Sequence, residues 1–151
     1  MTTKKQLMGL ISRYYSIWRS NNAAYENWAK SHNLSFNSVM TLYSLMEEPN
    51  HCTQKEISQK WSIPKQTVNM VLKDFEKRGF VTFAPFPDDR RNKLIQLTQE
   101  GKSYAAGLIT ELHELEISVL SDFGAERLER MAEDLKCFTE LFISKSQSKK
   151  E

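Results

Sequence analysis

Apolar side chains at Leu7, Leu10, Ile11, Tyr14, Ile17, Trp18, Tyr25 and Trp28 recur at steps of three and four. That is the period of one helix face, and it predicts an amphipathic helix over residues 5–31. Asn33 and Ser35 supply a break and a cap, and a second helix follows with Phe36, Val39, Met40, Tyr43 and Met46 on one face until Pro49-Asn50 stops it. "TQKE" from Thr53 has the form of a capping box, in which the Thr and Glu side chains each satisfy the other's free backbone N–H, so a short helix from Gln54 to Lys60 is expected. "WSIP" breaks it. Pro64 suits the first turn of the next helix, where its missing N–H costs nothing, and that helix runs to Arg78 before Gly79 ends it. Here the period shortens to two. "FVTFAPF" (80–86) and "KLIQL" (93–97) predict two strands joined by roughly seven charged, proline-bounded residues, a β-hairpin with an exposed tip. Thr98 caps a long helix with Leu108, Leu112, Leu115 and Val119 as its stripe, Gly124 breaks it, and a last helix carries Leu128, Met131, Leu135, Phe138 and Phe142 as a seam suited to another helix. The tail "SKSQSKKE" is polar and expected to fray.

The predicted class is therefore mainly α with a small β-hairpin. Residues 54–78 make two helices joined by a tight turn, a helix-turn-helix, and the hairpin directly behind it makes a winged one. Such a second helix is slim enough for the major groove of duplex DNA, and a hairpin tip can place a guanidinium against the narrow, negative minor groove. On this helix Val68, Val71, Leu72 and Phe75 share a stripe expected to face the core. The other side shows Lys65, Gln66, Thr67, Asn69, Met70 and Lys73, whose amides can pair with adenine and whose ammonium groups can neutralise phosphate. A solvated helix face would carry similar residues. The wing in the same order along the chain favours DNA. With Ser38, Thr53, Gln54, Lys55, Pro64, Arg90, Arg91 and Lys93 these residues form the candidate DNA-binding set.

Charge sharpens this picture only when it is divided. The 151-residue chain carries a net charge of +2, but residues 53–93 hold nine Lys/Arg against five Asp/Glu while the remainder is acidic, a mild pointer to a polyanion partner for the middle. Apolar residues at 40 % and charged ones at 26 % are ordinary for a globular chain. The start reaches Arg13 too soon for the apolar core of a signal peptide and no run has the length of a membrane span, so a cytoplasmic protein without a membrane partner is expected. No paired catalytic carboxylates, glycine-rich phosphate loop or Cys/His dyad is legible, which argues against an enzyme.

The strings "FEKRGFV", "PDDRRNK" and "LTQEGK" together resemble the core of the MarR-type (multiple-antibiotic-resistance regulator) transcription factors, and the flanking long helices resemble that family's dimerisation helices. The resemblance implies an N-terminal dimerisation helix over 1–34, a winged helix-turn-helix lobe over 35–97, C-terminal dimerisation helices over 98–145 and a frayed tail over 146–151. It implies a homodimer on a pseudo-palindromic operator, most often a repressor, released by a small ligand or by oxidation. Arg91 resembles the wing-tip arginine that enters the minor groove, and Asp89 the acid that orients it. Met70 departs from the pattern, since many members have an arginine there.

What switches such a protein is open at this level. Redox-sensing relatives carry a cysteine near the start of the first helix; here the thiols are Cys52, ahead of the Thr53 cap, and Cys137, in the last helix, and neither belongs to a paired motif. His32, His51 and His113 show no metal-ligand spacing, and no cofactor is expected. The resemblance places ligands between the dimer helices and the DNA-binding lobe, where Arg13, Tyr14, Trp18, Met40 and Tyr43 are candidates to line a pocket for a small aromatic effector. The alternatives are a thiol-based redox sensor of the same fold and a winged helix that contacts protein without binding DNA.

Overall fold

The structure, a computed structural model, describes residues 3–49, 52–86 and 89–148, the side chains of 86 and 89–92 excepted. Along the chain it runs α1 (Lys4–Ser31), α2 (Phe36–Glu47), α3 (Gln54–Trp61), α4 (Lys65–Lys77), β1 (Val81–Phe86), β2 (Asp89–Leu97), α5 (Gln99–Phe123) and α6 (Ala125–Gln147). Helix starts coincide with side chains that take up otherwise free N–H groups. Thr3 and Gln6 form a capping box for α1, Ser35 caps α2, and Thr53 and Glu56 form the expected box for α3. The Gly101 N–H donates to Thr98 Oγ1 over 3.0 Å at the head of α5. α4 differs. Pro64 stands at its N-cap, one position ahead of the first turn, and makes no side-chain cap bond. Gly79 and Gly124, at φ 74° and 94°, end α4 and separate α5 from α6 in a conformation that side chains with a Cβ avoid.

Four expectations need correction. β2 begins at Asp89, so the charged segment is mostly strand and only residues 87–88, which lie outside the described residues, connect it to β1. The ladder is regular from Val81 opposite Leu97 to Pro85 opposite Lys93, then shifts so that Phe86 faces Asp89, which leaves 90–92 without partners across the hairpin. The shift is a bulge, in which extra residues of one strand stand opposite fewer of the other and the ladder is locally interrupted. Second, 146–147 are helical, α6 ending at Gln147; residues 149–151 lie outside the described set. Third, α2 is enclosed on more than one face: Leu42 and Leu45 are fully buried with Val39, whereas Met46 is exposed. Fourth, Val71 is only half-buried on α4.

A further element was invisible to the period. Thr53 bridges Leu94, and the Ile95 N–H donates to the Cys52 carbonyl over 3.0 Å, so Cys52-Thr53 acts as a one-step third strand beside β2. It ties the start of α3 to the hairpin. The core of this lobe is Val39, Leu42, Leu45, Ile57, Val68, Leu72, Phe75, Val81 and Ile95, all nearly free of solvent. Burial of this apolar surface is the main force holding the lobe, at about 25 cal/mol per Å².

Two compact units emerge, Met1–Gly107 and Leu108–Glu151, the boundary falling inside α5. In the first, α1 buries only Ala29, and Leu7, Met8, Leu10, Ile11, Tyr14, Ile17 and Trp18 are exposed. In the second, α6 has no buried residue, and Met131, Leu135, Phe138, Leu141 and Phe142 are exposed in the single chain. Among the described residues no helix is long and apolar enough to cross a membrane.

Candidate nucleic-acid interface

The helix-turn-helix is positioned by the buried side of α4. Val68, Leu72 and Phe75 recur at steps of four and three and are buried, which turns the opposite side outward. That side presents Lys65, Gln66, Met70 and Lys73 exposed, with Thr67 and Asn69 half-buried at its margins. Pro64 and Lys55 are exposed beside it. The angle between the two helices has its own fastening: Gln54 Nε2 on α3 donates to the Lys65 carbonyl over 2.7 Å at the first turn of α4. Behind α3, the Trp61 indole N–H donates to Ser44 Oγ over 2.7 Å, Tyr43 meets the Trp61 ring edge-on, and the Lys60 ammonium donates to Glu47, holding that carboxyl below its usual range.

The wing is set against α4 by the segment after the turn. Thr98, the residue following β2, donates from its N–H to the Phe80 carbonyl (2.9 Å) and from Oγ1 to the Gly79 carbonyl (2.6 Å). Its hydroxyl also caps α5. Gly101, one turn on, lies against the same strand entry: a Cβ there would come within 2.8 Å of the Phe80 carbonyl carbon, well inside contact. Phe80 stacks on Tyr104 of α5 at 4.5 Å, and the Arg78 guanidinium covers both rings. The strings "RGF" and "LTQEG" are thus two halves of one joint between α4, the wing and α5.

The sequence-selected residues fall into several groups. Those of α4 share one exposed side. Lys93 is exposed, its ammonium 5.7 Å above the Phe83 ring. Asp89, Arg90 and Arg91 lie in β2, next to the register shift, but their side chains are outside the described residues. Ser38 and Thr53 are buried; the Ser38 hydroxyl hydrogen-bonds Ser35, the cap of α2, and the Thr53 hydroxyl accepts from the Glu56 N–H at the start of α3. For the pocket residues, Arg13, Tyr14 and Trp18 are exposed on α1, Met40 is buried on α2 and Tyr43 packs on Trp61. The α1–α2 contacts seen are further along, at Tyr25–Phe36 and from the Phe36 N–H to Glu26. Cys52 is buried, and burial pushes its thiol up to about 12, with the Glu56 and Glu48 carboxylates adding to the rise; Cys137 is exposed. Sequence reasoning missed Gly101, Arg78 and Tyr104, because their roles depend on contacts between segments over twenty residues apart.

A helix-turn-helix followed by a two-stranded hairpin, both braced by flanking helices, defines a winged-helix protein. The MarR family model matches residues 32–92. A MarR family regulator from Neisseria meningitidis is 34 % identical and superposes with a TM-score of 0.74 over 97 % of this chain and 99 % of that one. The chain belongs to the MarR family of transcriptional regulators, and it is not an enzyme. It is also 27 % identical, over 106 residues and 70 % of its length, to the DNA-binding transcriptional repressor ScoC of Bacillus subtilis, of which it spans about half (51 %). The structure of S. aureus MepR in complex with DNA shares the fold at 19 % identity, with a TM-score of 0.72 covering 87 % of this chain and 96 % of MepR.

Proposed function

We propose that the protein is a sequence-specific DNA-binding repressor that acts as a homodimer on a pseudo-palindromic operator. The observation that carries this reading is the division of α4 into a buried side and an outward side of lysines, amides and Met70, with the wing braced directly behind it. In this reading α4 enters the major groove, where Gln66 and Asn69 face base edges and Lys65 and Lys73 face phosphates. Thr67, Lys55, Pro64 and Lys93 border the duplex, and Gln54 fixes the entry angle through Lys65. Arg90 and Arg91 reach the minor groove, with Asp89 orienting Arg91. The likeness to ScoC and to DNA-bound MepR supports this assignment. The apolar rows left exposed on α1 and α6 support a second copy of the chain as their cover.

An aromatic effector lodged near Arg13, Tyr14, Trp18, Met40 and Tyr43 releases the operator by changing the spacing of the two recognition helices. Burial of Cys52 argues against that thiol as the sensor. The test is fluorescence anisotropy on duplexes selected from a random pool, with sedimentation to count chains. Two chains per duplex are expected, with a steep decline of affinity as salt rises and a large loss in Arg91→Ala at unchanged thermal stability. A monomer indifferent to every duplex at low salt refutes the reading; unaltered affinity in Arg91→Ala refutes the wing assignment.

A further inference from the structure

Met70 is 66 % exposed at the centre of the outward side of α4, and among the described residues of 52–97 it is the one large apolar side chain left exposed. Its neighbours on that side are Gln66 one turn before, Asn69 adjacent and Lys73 one turn after, all polar. A thioether donates no useful hydrogen bond and accepts only weakly, so what it can recognise is an apolar surface of matching size. In the major groove the bases present one apolar group of that size, the C5-methyl of thymine; cytosine has only a hydrogen at the same position, and the remaining recognition points are donors or acceptors. We infer that Met70 is a specificity-determining residue that reads a thymine methyl group in each operator half-site. The inference rests on the DNA-binding reading of α4 and goes further, by naming a base and the atom on it. The amides of Gln66 and Asn69 suit adenine, so the half-site places that thymine beside an adenine, which makes the contacted steps A·T pairs.

The experiment uses the full-length protein and the duplex enriched from a random pool. Each thymine of that duplex is replaced singly by deoxyuridine, which removes the C5-methyl and keeps the base-pairing edge. One thymine per half-site is expected at which the replacement weakens wild-type binding about fourfold, the factor for one buried methyl group. In Met70→Gln, of similar length but polar, the same replacement should have no effect, while Met70→Leu should retain the penalty. Since Met70 is exposed, both variants should unfold at the wild-type temperature. Equal binding of every deoxyuridine duplex overturns the proposal, as does a penalty that survives in Met70→Gln or vanishes in Met70→Leu. If no duplex is enriched at all, the DNA-binding reading fails and this inference falls with it; enrichment without methyl dependence removes the inference alone.

Discussion

Alanine at Gly101 and at Gly107, two glycines of α5 six positions apart, should move stability in opposite directions. In an exposed helix interior, alanine in place of glycine stabilises by about 0.5–1 kcal/mol, because glycine gives up more backbone freedom on folding. Gly107 meets that condition, with nothing within 4 Å of an added Cβ. For a chain of this length about 1 kcal/mol corresponds to 2–4 °C in Tm, so Gly107→Ala should gain roughly 1–4 °C. At Gly101 the same Cβ would lie within 2.8 Å of the Phe80 carbonyl carbon, against backbone that has no rotamer to escape into. Relief requires lifting the first turn of α5 from the wing entry. Such overpacking costs about 1–3 kcal/mol. The movement also strains the Thr98 bonds to the Gly79 and Phe80 carbonyls, worth about 1 kcal/mol each. After subtracting the propensity gain, Gly101→Ala should lose about 2 kcal/mol, or roughly 4–8 °C. Differential scanning calorimetry of the two variants and the wild type decides it. A Gly101→Ala protein as stable as Gly107→Ala would refute the claim that this glycine is required by contact with the wing.

Other outcomes follow from the same structure. Thr53→Ala removes one side of the α3 capping box and should cost about 1 kcal/mol, read from urea unfolding, with Glu56→Ala similar and the double variant less than additive because both remove one motif. At pH 7 a thiol-specific disulfide reagent should leave Cys52 unmodified in the folded protein, and mass spectrometry should find it labelled only after denaturation. Because the folded-state value of Cys52 is raised, its contribution to stability is full below the ordinary thiol range and is lost as pH rises from about 9 toward 12; the alkaline decline should be shallower in Cys52→Ala. Lys65→Ala and Lys73→Ala should each weaken binding similarly on all duplexes and lower the slope of log affinity against log salt by about one.

The helices were legible because each has a local signature: a period of three to four and a Thr, Ser or Gly at its end. Thr53 with Glu56 alone placed the start of α3 correctly. The polar side of α4 was equally legible, since Val68, Leu72 and Phe75 determine what lies opposite. The length of β2 was not. Of the stretch from Asp89 to Asn92 only Asp89 pairs across the hairpin, opposite Phe86, and this register shift is a feature of the ladder that no period in the sequence encodes. The Cys52-Thr53 strand stub is too short for any period to reveal. The burial of Ser38 and Thr53 was not legible, because it depends on how the first turns of α2 and α3 are enclosed. The enclosure of α2 escaped notice because its buried sides include Thr41 and Ser44, whose hydroxyls bond to the Asn37 carbonyl and to the Trp61 indole.

α6 places 23 residues in a helix of which none is buried within one chain. Most of a helix's stability in a protein comes from packing of its apolar side and not from the helix alone. With a second copy of the chain as the proposed cover, folding of this segment and assembly become a single equilibrium linked by mass action. On that proposal thermal stability should climb with protein concentration, and the number of copies present would govern how much of the regulator is whole.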